Sequence, residues 1–231
     1  MAKHLFLETT APLLRSYETL ALQHQKNRNG NYHTAFPLLM INASIVEGML
    51  RFWLVNAVKQ AMNEMVVEGK TFGRTSKSKA EQLLEKYLIE IEGTGGFEKL
   101  KSHYKFFFSV QVDQNSTEYD IKSIKALFTL RNVLAHGTSI VAPSVPSSSP
   151  NGQDYADSWQ SKLQMTLDIL KEVTGCNDIF SALNDPRVPR HFFENSVRLL
   201  KNVRSKLPDD LNVGAAFADI ERMSFGYRQL T

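Results

Sequence analysis

The chain has 231 residues, 42% of them hydrophobic and 22% charged, a composition typical of a globular protein that buries a sizeable core. Its net charge of +3 is too small to indicate a polyanionic partner, so any such argument depends on local clusters of charge. Cys176 is the only cysteine, which excludes an intrachain disulfide and a multi-cysteine zinc site and is typical of a reducing compartment.

The N-terminal part of the chain is predicted to form two helices. The first runs over about 9–26, with Pro12 in its first turn, and residues 27–33 form a turn. The second, over about 34–67, has apolar residues around much of its circumference, which is typical of a central helix. The apolar run within residues 1–8 is too short for a signal peptide, and no segment approaches ~18 uninterrupted apolar residues. We therefore expect a cytoplasmic protein that does not span a membrane.

A polar, basic loop over 69–79 is predicted to separate these helices from a third. Ser78 and Glu81 have the spacing of a capping box at the start of this third helix, which ends at 93–96. Its apolar stripe consists of Leu83, Leu84, Tyr87, Leu88 and Ile91.

Two more helices are predicted before residue 138. The fourth covers 97–110, and its Phe106-Phe107-Phe108 run is expected to lie in the core or in a dimer interface. Thr117 and Asp120 have capping-box spacing at the start of the fifth helix, which stops at Gly137.

The C-terminal part begins with a loop over about 138–155 that is rich in proline and serine. This loop could divide two domains, but the segment after it is too small to form a stable domain by itself. We therefore expect a single domain over 1–231 with accessory helices at 156–231. No alternating strand pattern of useful length occurs, so the predicted fold is all-α.

The sequence RNVLAHG at residues 131–137 places a guanidinium, an amide and an imidazole within six residues. Arg131 follows Phe128 by three positions and therefore lies on the apolar stripe of the fifth helix. A guanidinium there must be paired, or must line a cavity or a subunit interface. Arg131 and His136 are about 140° apart on an ideal helix, so either the helix unwinds at Gly137 or a second chain completes the site.

These residue types suit the cleavage of RNA by internal transesterification. The imidazole of His136 can take a proton from a ribose 2′-hydroxyl or give one to the leaving 5′-oxygen. The guanidinium of Arg131 can hold phosphate oxygens and stabilise the charge of the transition state, and the amide of Asn132 can orient the histidine or the phosphate. The histidines are scattered, with no HxH or HExxH spacing, so neither a metal nor another cofactor is predicted.

The RNVLAHG segment resembles the arginine–four-residues–histidine signature of the HEPN superfamily (higher eukaryotes and prokaryotes nucleotide-binding domain). Asn132 and Gly137 strengthen this match, and SIVEGMLR at 44–51 is similar to the helix of that family whose glutamate, here Glu47, packs near the motif. The resemblance covers about residues 34–137. It implies an antiparallel helical bundle and a homodimer that brings two motifs into one cleft.

The same resemblance implies a metal-independent endoribonuclease that leaves a 2′,3′-cyclic phosphate in a toxin–antitoxin or phage-defence setting, with an antitoxin as a candidate partner. Two other functions stay open. One is a non-catalytic module that binds nucleotides or RNA, or partners a nucleotidyltransferase. The other is a structural dimer in which Arg131 and His136 only bridge subunits. Arg131 could also pair with Glu47 or Asp120 within one chain, and Glu47 could pair with Arg51.

Two basic clusters are candidates for binding the RNA backbone, with solvated surface as the alternative interpretation. The first is Lys70, Arg74, Lys77 and Lys79, which have no acidic residue among them. The second lies on a predicted helix over 189–207 and includes Arg198 and Lys201.

Overall fold

A computed structural model describes residues 10–26, 32–93, 95–136 and 163–226 of the chain. Within these ranges the protein is helical and contains no strand, as the sequence predicts. The helices are α1 (Thr10–Lys26), α2 (Tyr32–Thr71), α3 (Lys79–Gly93), α4 (Phe97–Phe108), α5 (Glu118–His136), α6 (163–174), α7 (Ile179–Leu183), α8 (Arg187–Arg204) and α9 (Ala215–Arg222). The predicted proline- and serine-rich loop lies outside the described residues.

Helix α2 is the centre of the fold, as its apolar circumference predicts. It packs against α1, α3, α4, α5 and α8, and it buries Leu39, Val46, Leu50 and Trp53 completely. It is the one described helix that is long and apolar enough to cross a membrane, a property it shares with the buried core helices of soluble proteins. The helix continues past its predicted end because the backbone N–H of Phe72 still donates to the Glu68 carbonyl, at 3.1 Å.

Local hydrogen bonds fix the starts of α3 and α5 where the sequence predicts them. The backbone N–H of Glu81 donates to Ser78 Oγ at 3.2 Å, and the Glu81 carboxylate accepts from the Ser78 backbone N–H at 2.5 Å. These hydrogen bonds from Ser78 hold the pKa of Glu81 below its ordinary value. At α5, the backbone N–H of Asp120 donates to Thr117 Oγ1 at 3.0 Å.

The predicted apolar stripe of α3 is only partly buried. Ile91 is fully buried, but Leu83 is 66% exposed. The reason is the position of α3, which packs chiefly against α2 and leaves part of its circumference uncovered. The neighbouring α4 ends earlier than predicted, because Ser109 adopts a left-handed φ of 56°, and Phe106 is 75% exposed rather than part of the core of this chain.

The C-terminal helices cover the faces of α1, α2 and α5 that the N-terminal helices leave open. Helix α8 packs against α2 and α5, and α9 packs against α1. The indole Nε1 of Trp53 in α2 donates to the Val213 carbonyl at 3.0 Å. One hydrophobic cluster therefore includes residues from both sides of the undescribed 137–162 segment.

Candidate functional site

Arg131 joins α5 to α2 through an ion pair. Its Nη2 donates to Oε2 of Glu47, and its guanidinium carbon lies 5.7 Å from the centroid of the Phe128 ring. Of the two carboxylates that the sequence offers as partners, the structure therefore shows Glu47. Asp120 is instead paired with Nη2 of Arg198 at 2.9 Å.

Glu47 connects three separate parts of the chain. Besides Arg131, its carboxylate accepts from Nη2 of Arg51 at 2.9 Å and from the backbone N–H of Gly96 at 3.1 Å. The Glu47 side chain is only 13% exposed, so two cations and one amide offset the cost of withdrawing this carboxylate from water. Because both carboxylate oxygens of Glu47 already accept hydrogen bonds, we infer that the role of Glu47 is to position Arg131.

Arg131 and Asn132 line a cavity of about 550 Å³ on the surface of the bundle. Its wall comes from the residues before α4, from α4, α5 and α6, and includes Lys99, Lys125 and Met165. Asn132 and both lysines are exposed, and the side chain of Arg131 is 25% exposed. Arg131 and Asn132 thus face an open pocket whose charged lining residues, among those described, are three cations and Glu98.

His136 is the last residue of α5, five positions after Arg131. Its side chain lies outside the described part of the structure, and so does Gly137. The structure therefore brings together Glu47, Arg131 and Asn132 of the predicted site, and it establishes the helix that carries His136.

The basic loop that the sequence offers for RNA is partly neutralised by α3. Arg74 pairs with Glu81 at 2.7 Å, and Lys77 pairs with Glu85. Both acidic residues follow the loop in sequence and lie in α3, and the helix places their side chains against the loop. Lys70 and Lys79 of the same cluster are exposed.

The second predicted cluster also lies apart from the motif. Arg198 and Lys201 line a different cavity, of about 320 Å³, together with Asp113 and Asp120. None of the six predicted RNA-binding residues is among the described residues that line the cavity of Arg131.

Lys99 and Lys125 are the basic residues of this cavity that sequence reasoning missed. Lys125, Thr129 and Asn132 have helical spacing on one face of α5, so the sequence does carry a signal for Lys125. Lys99 is on α4, and only the packing of α4 and α5 against α2 brings it to the same cavity.

A second polar cluster joins α5 to α8 away from this cavity. His191 Nε2 lies 3.3 Å from Ser123 Oγ and 3.1 Å from Asn195 Nδ2. Burial of the ring lowers the pKa of His191, and the nearby charge of Arg198 lowers it further. Because Ser123 and Asn195 are almost completely buried, this cluster holds helices together rather than forming an open site.

No family model, no curated protein and no solved structure matches this chain. Among the described residues, no group of three or more His, Cys, Asp or Glu side chains is arranged to hold a metal ion.

Proposed function

We propose that this chain is a metal-independent endoribonuclease of the HEPN type, acting as a homodimer in which Arg131 and His136 of both chains meet at one RNA phosphodiester. The observation that carries the proposal is that Glu47 holds Arg131 at the wall of an open cavity that also presents Asn132, Lys99 and Lys125. These groups supply positive charge and hydrogen-bond donors, as a phosphodiester requires.

In the proposed reaction, His136 removes the proton from a ribose 2′-hydroxyl, and that oxygen forms a new bond to phosphorus. The bond from phosphorus to the 5′-oxygen breaks, and the protonated His136 of the second chain gives its proton to the leaving oxygen. The products are a 2′,3′-cyclic phosphate and a 5′-hydroxyl. Arg131, held by Glu47 through Nη2, retains further N–H groups to stabilise the charge on the phosphate.

The positive charge around the cavity of Arg131 argues against a dimer in which this surface only packs against its copy in the second chain. Lys99, Lys125 and Arg131 line the same cavity, with Glu98 as the only carboxylate among its described lining residues. If two such faces were closed against each other, the charges of Lys99 and Lys125, which form no ion pair with a described residue, would be withdrawn from water without partners, at a large cost in free energy. A polyanion between the two faces removes this repulsion.

The second candidate function is a non-catalytic module that binds a nucleotide or RNA in the same cavity, alone or beside a nucleotidyltransferase. The volume of about 550 Å³ supports it, because small-molecule sites commonly occupy 300–1,000 Å³. A cytoplasmic role in toxin–antitoxin pairing or phage defence, with an antitoxin as partner, belongs to the proposal of a ribonuclease.

The deciding experiment measures cleavage of end-labelled RNA in EDTA by the wild type, His136→Ala and the control His33→Ala. His33 is an exposed histidine in α2 that does not line the cavity. We expect wild type and control to cleave equally and to leave a 2′,3′-cyclic phosphate, and His136→Ala to lose about 10²–10⁴-fold in rate.

Sedimentation velocity on each protein establishes the dimer before cleavage is compared. Equal cleavage by wild type and His136→Ala would exclude the catalytic assignment. RNA binding without cleavage by the wild-type dimer would favour the binding module instead.

A further inference from the structure

Lys99 and Lys125 differ from three of the six basic residues that the sequence singles out. Arg74, Lys77 and Arg198 are paired with carboxylates, whereas neither Lys99 nor Lys125 forms an ion pair within the described part of the chain. Both lysines are exposed and line the cavity of Arg131. Asp113 interacts electrostatically with Lys125, but its carboxylate is bound by Lys101 at 2.7 Å. The charges of Lys99 and Lys125 are therefore available to a ligand.

The one carboxylate among the described lining residues does not neutralise these lysines. Glu98 is 67% exposed and lies 3.4 Å from Nζ of Lys101, the same lysine that binds Asp113 at 2.7 Å. The cavity thus combines two unpaired lysines with Arg131, whose charge is shared with Glu47. A concave surface of one sign concentrates ligands of the opposite sign.

The floor of the cavity offers no free aromatic face for a nucleobase. Phe97 and Phe128 stack on each other with centroids 4.9 Å apart, and only 6% and 7% of these residues are exposed. The guanidinium of Arg131 also lies over the Phe128 ring. Base stacking on these two rings is therefore excluded by burial, and the charged groups that the cavity presents to a ligand are mainly cations.

We propose that Lys99 and Lys125 bind the phosphate that adjoins the scissile one, so that the cavity holds an RNA strand by its backbone, whatever its bases. Lys125 precedes Arg131 by six residues on α5. That spacing corresponds to about 9 Å along the axis of an ideal helix, so the two side chains leave α5 at different levels and we assign them to neighbouring phosphates. This inference rests on the proposed function, since it assigns Arg131 to the scissile phosphate.

The test measures binding of fluorescent single-stranded oligouridylate and oligoadenylate at several salt concentrations, in a His136→Ala background that prevents cleavage. The groove variant is Lys99→Ala with Lys125→Ala. The matched control is Lys86→Ala with Lys105→Ala, two exposed lysines that do not line the cavity and whose removal changes the net charge equally. Far-UV circular dichroism and thermal unfolding verify that both variants fold.

We expect the groove variant to bind both oligonucleotides about fivefold or more weakly, and its plot of log Kd against log salt to lose about 0.7 in slope for the one phosphate contact removed. The control should keep the affinity and the slope. Unchanged binding by the groove variant, an equal loss in the control, or a loss confined to one base composition would overturn the proposal.

Cleavage assays with His136 present separate this inference from the proposed function. If the wild type cleaves RNA and the groove variant binds and cleaves as the wild type does, the lysine site is wrong and the ribonuclease stands. If the wild type does not cleave but the groove variant binds RNA more weakly, the backbone site stands and the ribonuclease is wrong. If the wild type does not bind RNA at all, both are wrong.

Discussion

Glu47 is the residue on which the geometry of the site depends. Its carboxylate accepts hydrogen bonds from Arg131 on α5, from Arg51 on α2 and from the backbone N–H of Gly96, which precedes α4. Water could hydrogen-bond each of these three groups if it stood alone. Together they bind both oxygens of a carboxylate that is 13% exposed, and the carboxylate in turn fixes the direction of the Arg131 guanidinium.

Replacing Glu47 with glutamine should destabilise the protein because the side chain keeps its shape but loses its charge. Two guanidinium groups then share one neutral oxygen acceptor. We expect the free energy of unfolding to fall by about 2 kcal/mol, as measured by urea denaturation. The control Glu98→Gln changes an exposed ion pair and should alter stability by no more than about 0.5 kcal/mol. Equal effects of the two substitutions would contradict the role of Glu47.

His191 should make stability depend on pH, because its pKa in the folded protein is lower than in the unfolded chain. The unfolded state then binds more protons as the pH falls below the ordinary pKa of histidine, which favours unfolding. The contribution of His191 is fully present above that value and is lost as the pH falls through the lowered pKa. Arg198, Asp120 and Glu194 are the charges that act on this ring, and burial dominates them.

Urea denaturation of wild type and His191→Gln from about pH 7 to about pH 5 measures this contribution. The wild type should lose more stability than the variant over that range, since glutamine does not titrate. Parallel pH profiles for the two proteins would show that the pKa of His191 is not lowered by folding.

At the scale of elements, the junction between α3 and α4 sets the position of the Glu47 carboxylate. Gly96 precedes α4 with φ 99° and ψ 140°, a conformation that L side chains rarely adopt. This conformation turns the backbone N–H of Gly96 toward Glu47. The glycine is therefore required by the backbone rather than by lack of space, since a Cβ added at this position would meet no atom within 4 Å.

Gly96→Ala should lower the free energy of unfolding by about 1–3 kcal/mol because of backbone strain. The control is Gly93→Ala at the end of α3, where a Cβ meets no atom within 4 Å and φ is not positive. That control should be neutral within about 0.5 kcal/mol or slightly stabilising. Thermal unfolding of both proteins checks the difference, and a neutral Gly96→Ala would mean that φ relaxes at no cost.

At the scale of the whole molecule, buried polar contacts tie the C-terminal segments to the first two helices. His24 is fully buried, with Nδ1 2.8 Å from Thr34 Oγ1 and Nε2 3.0 Å from the Pro186 carbonyl. Glu18 accepts from the backbone N–H of Ser224 at 2.8 Å. These contacts span most of the sequence, so we expect the helices on both sides of 137–162 to unfold together.

Trp53→Phe tests this coupling at the centre of the fold. The substitution removes the hydrogen bond from Nε1 to the Val213 carbonyl and weakens the edge-to-face contact with Phe217, whose centroid is 5.4 Å away. We expect one cooperative transition, shifted by about 2–3 kcal/mol, in urea denaturation followed by far-UV circular dichroism. Phe72→Leu, at a residue that is 87% exposed, should leave the transition within about 0.5 kcal/mol. A biphasic curve for Trp53→Phe would contradict a single unfolding unit.

Local signals in the sequence were sufficient for most of the helices. The start of α1, the capping residues of α3 and α5 and the central place of α2 all follow from interactions between residues a few positions apart, or from the apolar periodicity of one segment. The exposure of Leu83 was not predictable in this way, because it depends on how much of α3 its neighbours cover.

Sequence alone was enough to establish the all-helical class of the described residues, the approximate helix boundaries and the motif that offers Arg131, Asn132 and His136 for chemistry. The packing of the helices was needed to show that Glu47, rather than Asp120, binds Arg131 and that Lys99 and Lys125 share its cavity. The two kinds of feature differ in how far apart in sequence the interacting residues are. Helix formation and capping act within a few residues, whereas an ion pair or a cavity depends on groups that are distant in sequence and that meet only when the helices pack.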